Sequence, residues 1–125
     1  MPASPPSSDP RHILGRHGEQ AAELHYVHRG YRCIARNWRH GRAEIDRILV
    51  REDSMVILEV KTRRNSGAES IGSVRQWRRI AHAGMRFAQQ QRWSGELRLD
   101  LVIATLNHHG TFEIRIIRNI WEGWG

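Results

Sequence analysis

Two stretches, 44–50 (EIDRILV) and 54–61 (SMVILEVK), carry a run of apolar residues broken by acids in fixed places. Both read as strands joined by a tight turn. Successive side chains of a strand point to opposite faces, so Glu44, Asp46, Ile48 and Val50 share one face of the first. Ile57, Glu59 and Lys61 share one face of the second. With Glu52-Asp53 as the turn, or a four-residue loop about the same centre, Asp46 stands opposite Glu59 and Glu44 opposite Lys61. Opposed Cβ atoms lie about 4.5–5.5 Å apart. Carboxylates that close repel unless a proton or cation sits between them. An odd-numbered loop would send the partners to opposite faces.

The rest of the pattern supplies a frame for this hairpin. From Arg11 to Arg29 apolar residues recur at helical spacing, with Ala22 and Tyr26 on one side and Gly30 as the stop. Glu19 lies on that helix near the angle of Ala22 and Tyr26, facing either inward over the sheet or outward to solvent. Tyr31–Trp38 reads as a strand. A second helix covers 73–91, its buried stripe marked by Val74, Trp77, Ile80, Ala81, Gly84, Phe87 and Ala88. In 96–104 the alternation is clean, with Leu97, Leu99, Leu101 and Ile103 on one face and Arg98 and Asp100 on the other. A last strand spans 111–120. The order α-β-β-β-α-β-β predicts an α/β fold, a mixed sheet of about five strands flanked by helices. The Pro- and Ser-rich residues 1–10 read as a disordered lead-in, and 11–125 as a single domain.

Charge narrows the partners. The 125 residues carry a net charge of +7, and the excess is spread along the chain, which suits a polyanion such as nucleic acid. Arg75, Arg79, His82 and Arg86 form a ridge along the second helix, either a phosphate track or a solvated face. Arg63 and Arg64 open the polar loop after Lys61, a plausible substrate clamp. The single cysteine, Cys33, excludes an internal disulfide and a thiolate zinc cluster, and suits a reducing compartment. No apolar run reaches membrane-spanning length and no secretory signal pattern opens the chain, so the expected location is cytoplasmic.

Composition also singles out an amine. Nineteen of the twenty basic residues are arginine, and the one lysine is Lys61, two positions after Glu59. A compact ammonium does what a planar guanidinium does not. Asp46 and Glu59 are hard oxygen ligands suited to Mg²⁺ or Mn²⁺. The histidines show no metal-binding spacing, and no Gly-rich phosphate loop is present.

Several motifs resemble those of the YraN family of small bacterial proteins. They are Gly15-Arg16-His17-Gly18-Glu19-Gln20-Ala21-Ala22, Gly30-Tyr31, Arg36-Asn37-Trp38-Arg39, Glu44-Ile45-Asp46, Glu59-Val60-Lys61-Thr62-Arg63 and Arg98-Leu99-Asp100. Together they run from about residue 14 to 121. The resemblance implies a restriction-endonuclease-like fold, in the branch similar to archaeal Holliday junction resolvases, with a PD-D/E-x-K nuclease site. Under it, Asp46 is the motif aspartate, Glu59 and Lys61 the E-x-K pair, and Glu19 an inward first-helix acid near the metal. The departures are Ala43 for the usual Gly, Arg47 for an apolar residue, and Ile45 in place of the nuclease proline. A lysine often found early in the second helix is replaced by Arg75 or Gln76.

The expected activity is therefore metal-dependent hydrolysis of DNA, with branched or damaged DNA among the candidate substrates. A non-catalytic nucleic-acid-binding module on the same scaffold and an adaptor protein are the alternatives. Cutting two strands would favour a homodimer, though no interface stripe stands out in the pattern.

Overall fold

The computed structural model describes residues 8–65 and 71–124. It has the element order expected, α1 (Pro10–Val27), β1 (Arg32–His40), β2 (Ala43–Arg51), β3 (Ser54–Arg63), α2 (Val74–Gln90), β4 (Glu96–Leu106) and β5 (Phe112–Ile117). The chain begins α1 with a proline, whose missing N–H costs nothing in the first turn, behind Asp9, whose side chain accepts from the Arg11 N–H at 2.8 Å. Gly30, at φ 90°, ends it. That left-handed residue lets the Tyr31 and Gly30 N–H groups return to the carbonyls of Tyr26 and Val27. Ser73 caps α2 by accepting from the Gln76 N–H.

The five strands lie in sequence order, β1-β2-β3-β4-β5. Every neighbouring pair is antiparallel except β3 and β4, whose parallel pairing is made by the α2 crossover. Each helix covers one face. Beneath α2 lie Ile45, Ile48, Ile57, Leu99, Leu101 and Ile103 with Trp77, Ile80 and Phe87. Beneath α1 lie Leu49, Val56, Leu58, Val102 and Ala104 with Ala22, Tyr26 and Tyr31. The central strands β3 and β4 are thus buried on both faces by their own alternation.

The hairpin turn is Glu52-Asp53, with Glu52 at φ 53°, and Arg47 pairs with Leu58 and Arg51 with Ser54 in the expected register. The register ends there. The expected ladder pairs Asp46–Glu59 and Glu44–Lys61 do not form, and Glu44 does not share a face with Ile48. Ala43 and Ile45 pack under α2 together with Ile48 and Val50, so alternation slips between Ile45 and Ile48. The neighbouring strand slips in step. Ala35 opposes Ile48 and Trp38 opposes Ile45, both against the α2 core, and Asn37 between them takes φ 47°. A left-handed asparagine absorbs the extra half-pleat. Glu44 turns away instead, to Asn37 and Arg39.

The element ends differ modestly from expectation. β1 runs on to His40, two residues past the expected end at Trp38. β5 stops at Ile117, where Arg118 and the left-handed Asn119 lead the chain back to bond Leu99 through the Ile120 N–H. Of the lead-in, residues 1–7 lie outside the described residues, as do residues 66–70 of the polar loop.

Candidate active site

Where β2 and β3 part beyond Arg47 and Leu58, the space between them is filled by acid. Asp46 is 9% exposed, and its Oδ2 accepts from the Val60 N–H at 2.8 Å, closing the gap with a side chain where a ladder bond would otherwise run. Glu59 follows Ile57 on the α2 face of β3, half-buried. Its carboxyl is pushed far above the ordinary carboxylate range, first by burial, then by its hydrogen bond to Asp46 and by the charge of Asp46, with Lys61 pulling the other way. Two carboxyl groups in contact, with Glu59 pushed toward its neutral form, make a place where added positive charge is favoured. Lys61, one pleat further on, is half-buried beside them.

Glu19 approaches Asp46 from the α1 side. Its carboxylate is raised by burial and by the Asp46 charge, and held down by its bonds to Asn37 Nδ2 (3.0 Å) and Arg47 Nη1 (3.1 Å). What lets α1 come this near is Gly18. A Cβ there would overlap the Thr62 side chain, on the strand residue after Lys61. Gly18→Ala is therefore expected to push α1 off β3 and to destabilise by about 1–3 kcal/mol. Thermal unfolding beside wild type measures it.

Arg47 is the residue that the sequence undersold. Only 7% exposed, it donates to Glu23 Oε1 at 2.7 Å, to Glu19 Oε1 and to the carbonyl of Asp46 at 2.8 Å. Arg36, directly opposite in the β1–β2 register, closes a fork on Glu23 at 2.8 and 2.7 Å. Glu23 is pulled down to about 2, chiefly by the Arg36 hydrogen bond and then by Arg47, against the cost of burial. The signal was available in principle. Two arginines set opposite one another need acids, and Glu19 and Glu23 stand one helical turn apart.

The remaining predicted residues are dispersed. Arg63 belongs to β3 rather than to the loop, and its Nε donates to Thr105 Oγ1 on β4 at 3.1 Å. Arg64 is exposed just beyond. Arg75, Arg79 and Arg86 are exposed on α2, the last lining a 230 Å³ hollow with His40 and His82. Along α1, by contrast, two adjoining clefts meet at Glu19 and Asn37. One, of 740 Å³, is walled by Arg11, His12, Arg16 and Arg39, and the other, of 410 Å³, by Arg16, Arg36 and Arg47. Spacing along the chain gave no hint of this gathering, because β1 and α1 meet only in the fold.

The donor set fits one class of metal. Among the described residues no group of three or more His, Cys, Asp or Glu side chains is arranged to hold an ion. Asp46 and Glu59 are a pair of hard oxygen donors of the kind that Mg²⁺ and Mn²⁺ take, ions that retain waters and draw remaining oxygens from phosphate. Among the described residues no helix is long and apolar enough to cross a membrane.

The sequence comparisons agree with the motifs. The family model described as "Uncharacterised protein family UPF0102" matches residues 18–104. A UPF0102 protein of Nitratidesulfovibrio vulgaris is 39% identical over 101 residues, covering 78% of this chain and 75% of its own length. One from Herpetosiphon aurantiacus is 36% identical, covering 80% and 87%, and one from Bacteroides thetaiotaomicron is 33% identical, covering 84% and 88%. The matched span holds Glu19, Asp46, Glu59 and Lys61, and the chain belongs to the UPF0102 family, the YraN family that its motifs resemble.

Proposed function

We propose that the protein is a metal-dependent nuclease that hydrolyses phosphodiester bonds of DNA, with branched or damaged DNA among its substrates. The observation that carries this reading is the hydrogen-bonded contact between Asp46 and Glu59, where burial and the Asp46 charge push the Glu59 carboxyl upward, with the only lysine beside it. Asp46 and Glu59 would hold Mg²⁺ or Mn²⁺, which supplies a polarised phosphoryl oxygen and a bound water of lowered pKa. Asp46 is fixed for this by the Val60 N–H. Lys61 places an ammonium where it neutralises charge growing on the phosphate or orients the attacking water. Glu19, tied to Asn37 and Arg47, adds negative charge on the α1 side of the pair. The arginines of the α1 clefts and those of α2 offer phosphate contacts on either side of the sheet.

A binding module without catalysis is the second reading, favoured by one observation. Arg47, where the family carries an apolar residue, engages Glu19 at 3.1 Å and neutralises an acid that the nuclease reading uses.

The deciding experiment is cleavage of labelled linear, nicked, flapped and four-way DNA and of RNA with Mg²⁺ or Mn²⁺. Lys61→Ala and Asp46→Asn are purified in parallel. Expected are metal-dependent cutting by wild type and losses of about 10²–10³-fold in both variants, the scale of removing one charge-stabilising group. Binding that weakens with salt in all three proteins, with no cleavage in any, would move the assignment to the binding module. Cutting that survives in both variants would belong to a contaminant.

A further inference from the structure

We infer that the free edge of β5 is a docking surface for a second copy of this chain, paired strand to strand about a two-fold axis through Ile114. This does not rest on the nuclease reading. β5 ends the sheet, bonded only to β4, and among the described residues no strand lies beyond it. Its residues alternate Phe112, Glu113, Ile114, Arg115, Ile116, with the two charges exposed and the apolar ones half-buried toward the α1 core.

An antiparallel neighbour related by a two-fold axis keeps both faces of the sheet in register, so the pairing centre must fall on a residue. Centred on Ile114, Glu113 of each copy stands opposite Arg115 of the other, at the separation where cross-strand ion pairs form. Phe112 then meets Ile116, and Ile114 meets itself, on the face already apolar. Centred on Arg115, two arginines collide, and centred on Glu113, two glutamates do. The charge pattern is self-complementary in one register only.

The opposite edge is unfit for the same use. β1 carries Arg32, Arg36, Arg39 and His40, a register shift between Cys33 and Ala35, and the left-handed Asn37. Such irregularities and like charges are how edge strands avoid pairing. β5 has no positive φ within its six residues and mixed charge of opposite sign at alternating places.

Sedimentation equilibrium across about 1 µM to 1 mM, the range of weak to moderate self-association, tests the proposal. Wild type is expected to shift from monomer to dimer. Glu113→Arg sets arginine against arginine at both symmetric pairs, and Arg115→Glu sets glutamate against glutamate. Each is expected to weaken dimerisation at least about tenfold. An equimolar mixture of the two variants restores complementarity, because the all-positive strand meets the all-negative one, and dimer should return to the wild-type level. Both side chains are exposed, so circular dichroism, and melting read at about 1 µM where all the proteins are monomeric, should not move, which separates misfolding from lost association. A wild type that stays monomeric throughout, single variants that dimerise as wild type does, or a mixture that fails to recover would each overturn the inference.

Discussion

Asp100→Ala is expected to cost about 3–5 kcal/mol of stability. Asp100 is fully buried, on the α1 face of β4. It accepts from the Tyr26 hydroxyl at 2.7 Å, from Arg98 Nε and Nη2 at 2.9 Å each, and from the Asn119 N–H at 2.9 Å. Arg98 Nη2 also donates to the Tyr31 hydroxyl at 3.2 Å, and the Arg51 guanidinium lies 4.4 Å over that ring. Removing the carboxylate leaves a half-buried guanidinium and a buried phenol without an acceptor, and desolvation of each is then uncompensated. The melting temperature should fall on the order of 10–20 °C. Tyr26→Phe removes one donor to a charged acceptor and should cost about 1.5–3 kcal/mol. Burial and the Asp100 charge raise the phenol's pKa, so its proton stays in place as donor. Tyr26 lies two helical turns beyond Glu19 on α1, so this network also holds the helix that carries Glu19 over the sheet. The variants therefore test fold and site together, and chemical unfolding read beside activity separates the two.

How far the chain could be read before folding differs between frame and site. Period and punctuation were enough for the elements. Of the expected stripe on α2, Trp77, Ile80, Ala81, Gly84, Phe87 and Ala88 are buried, while Val74, the first residue of the helix, is 65% exposed. Leu97, Leu99, Leu101 and Ile103 face the stripe as alternation requires. What alternation cannot encode is its own interruption. The slip at Asn37 and between Ile45 and Ile48 turns Glu44 outward and leaves Asp46 to bond the Val60 N–H, and no local apolar pattern marks it. Asp46 and Glu59 are legible because chemistry selects acids beside the one lysine, whereas Glu19 is picked out by its angle on the first helix and by the family resemblance. Their mutual geometry depends on that slip. Arg47 and Asp100 illustrate the other limit. Polar residues in a strand read as solvent-facing, and only the facing helix, with Glu19, Glu23 and Tyr26, makes their burial tolerable.

Glu59→Gln should make the metal-free protein more stable at neutral and alkaline pH and, on the nuclease reading, abolish metal response and cleavage. The sign follows from the raised Glu59 pKa. In the unfolded chain this carboxyl ionises near the ordinary value of about 4.3. In the folded chain burial and contact with Asp46 keep a proton on the pair well above that. From about pH 4.3 upward the native state therefore binds more protons than the unfolded state, and stability falls as pH rises, at up to about 1.4 kcal/mol per pH unit. Below that pH both states are protonated and the contribution to stability is fully present. A glutamine donates its N–H to Asp46 without needing a proton, so the variant's stability curve should flatten across this window. Mg²⁺ or Mn²⁺ acts on wild type in the opposite sense to acid. Binding at the pair displaces the shared proton, so the thermal shift produced by metal should be larger at pH 8 than at pH 5.5, and titration in buffers of different ionisation enthalpy should register proton release near neutrality. A flat stability curve for wild type, or a metal response that survives in Glu59→Gln, would mean that the Asp46–Glu59 contact is not where a cation enters. If instead wild-type stability falls with pH and the metal response is lost in Glu59→Gln, the loss of stability on ionising Glu59 and the gain on metal binding belong to one site, a local cost that the fold carries and a cation would offset.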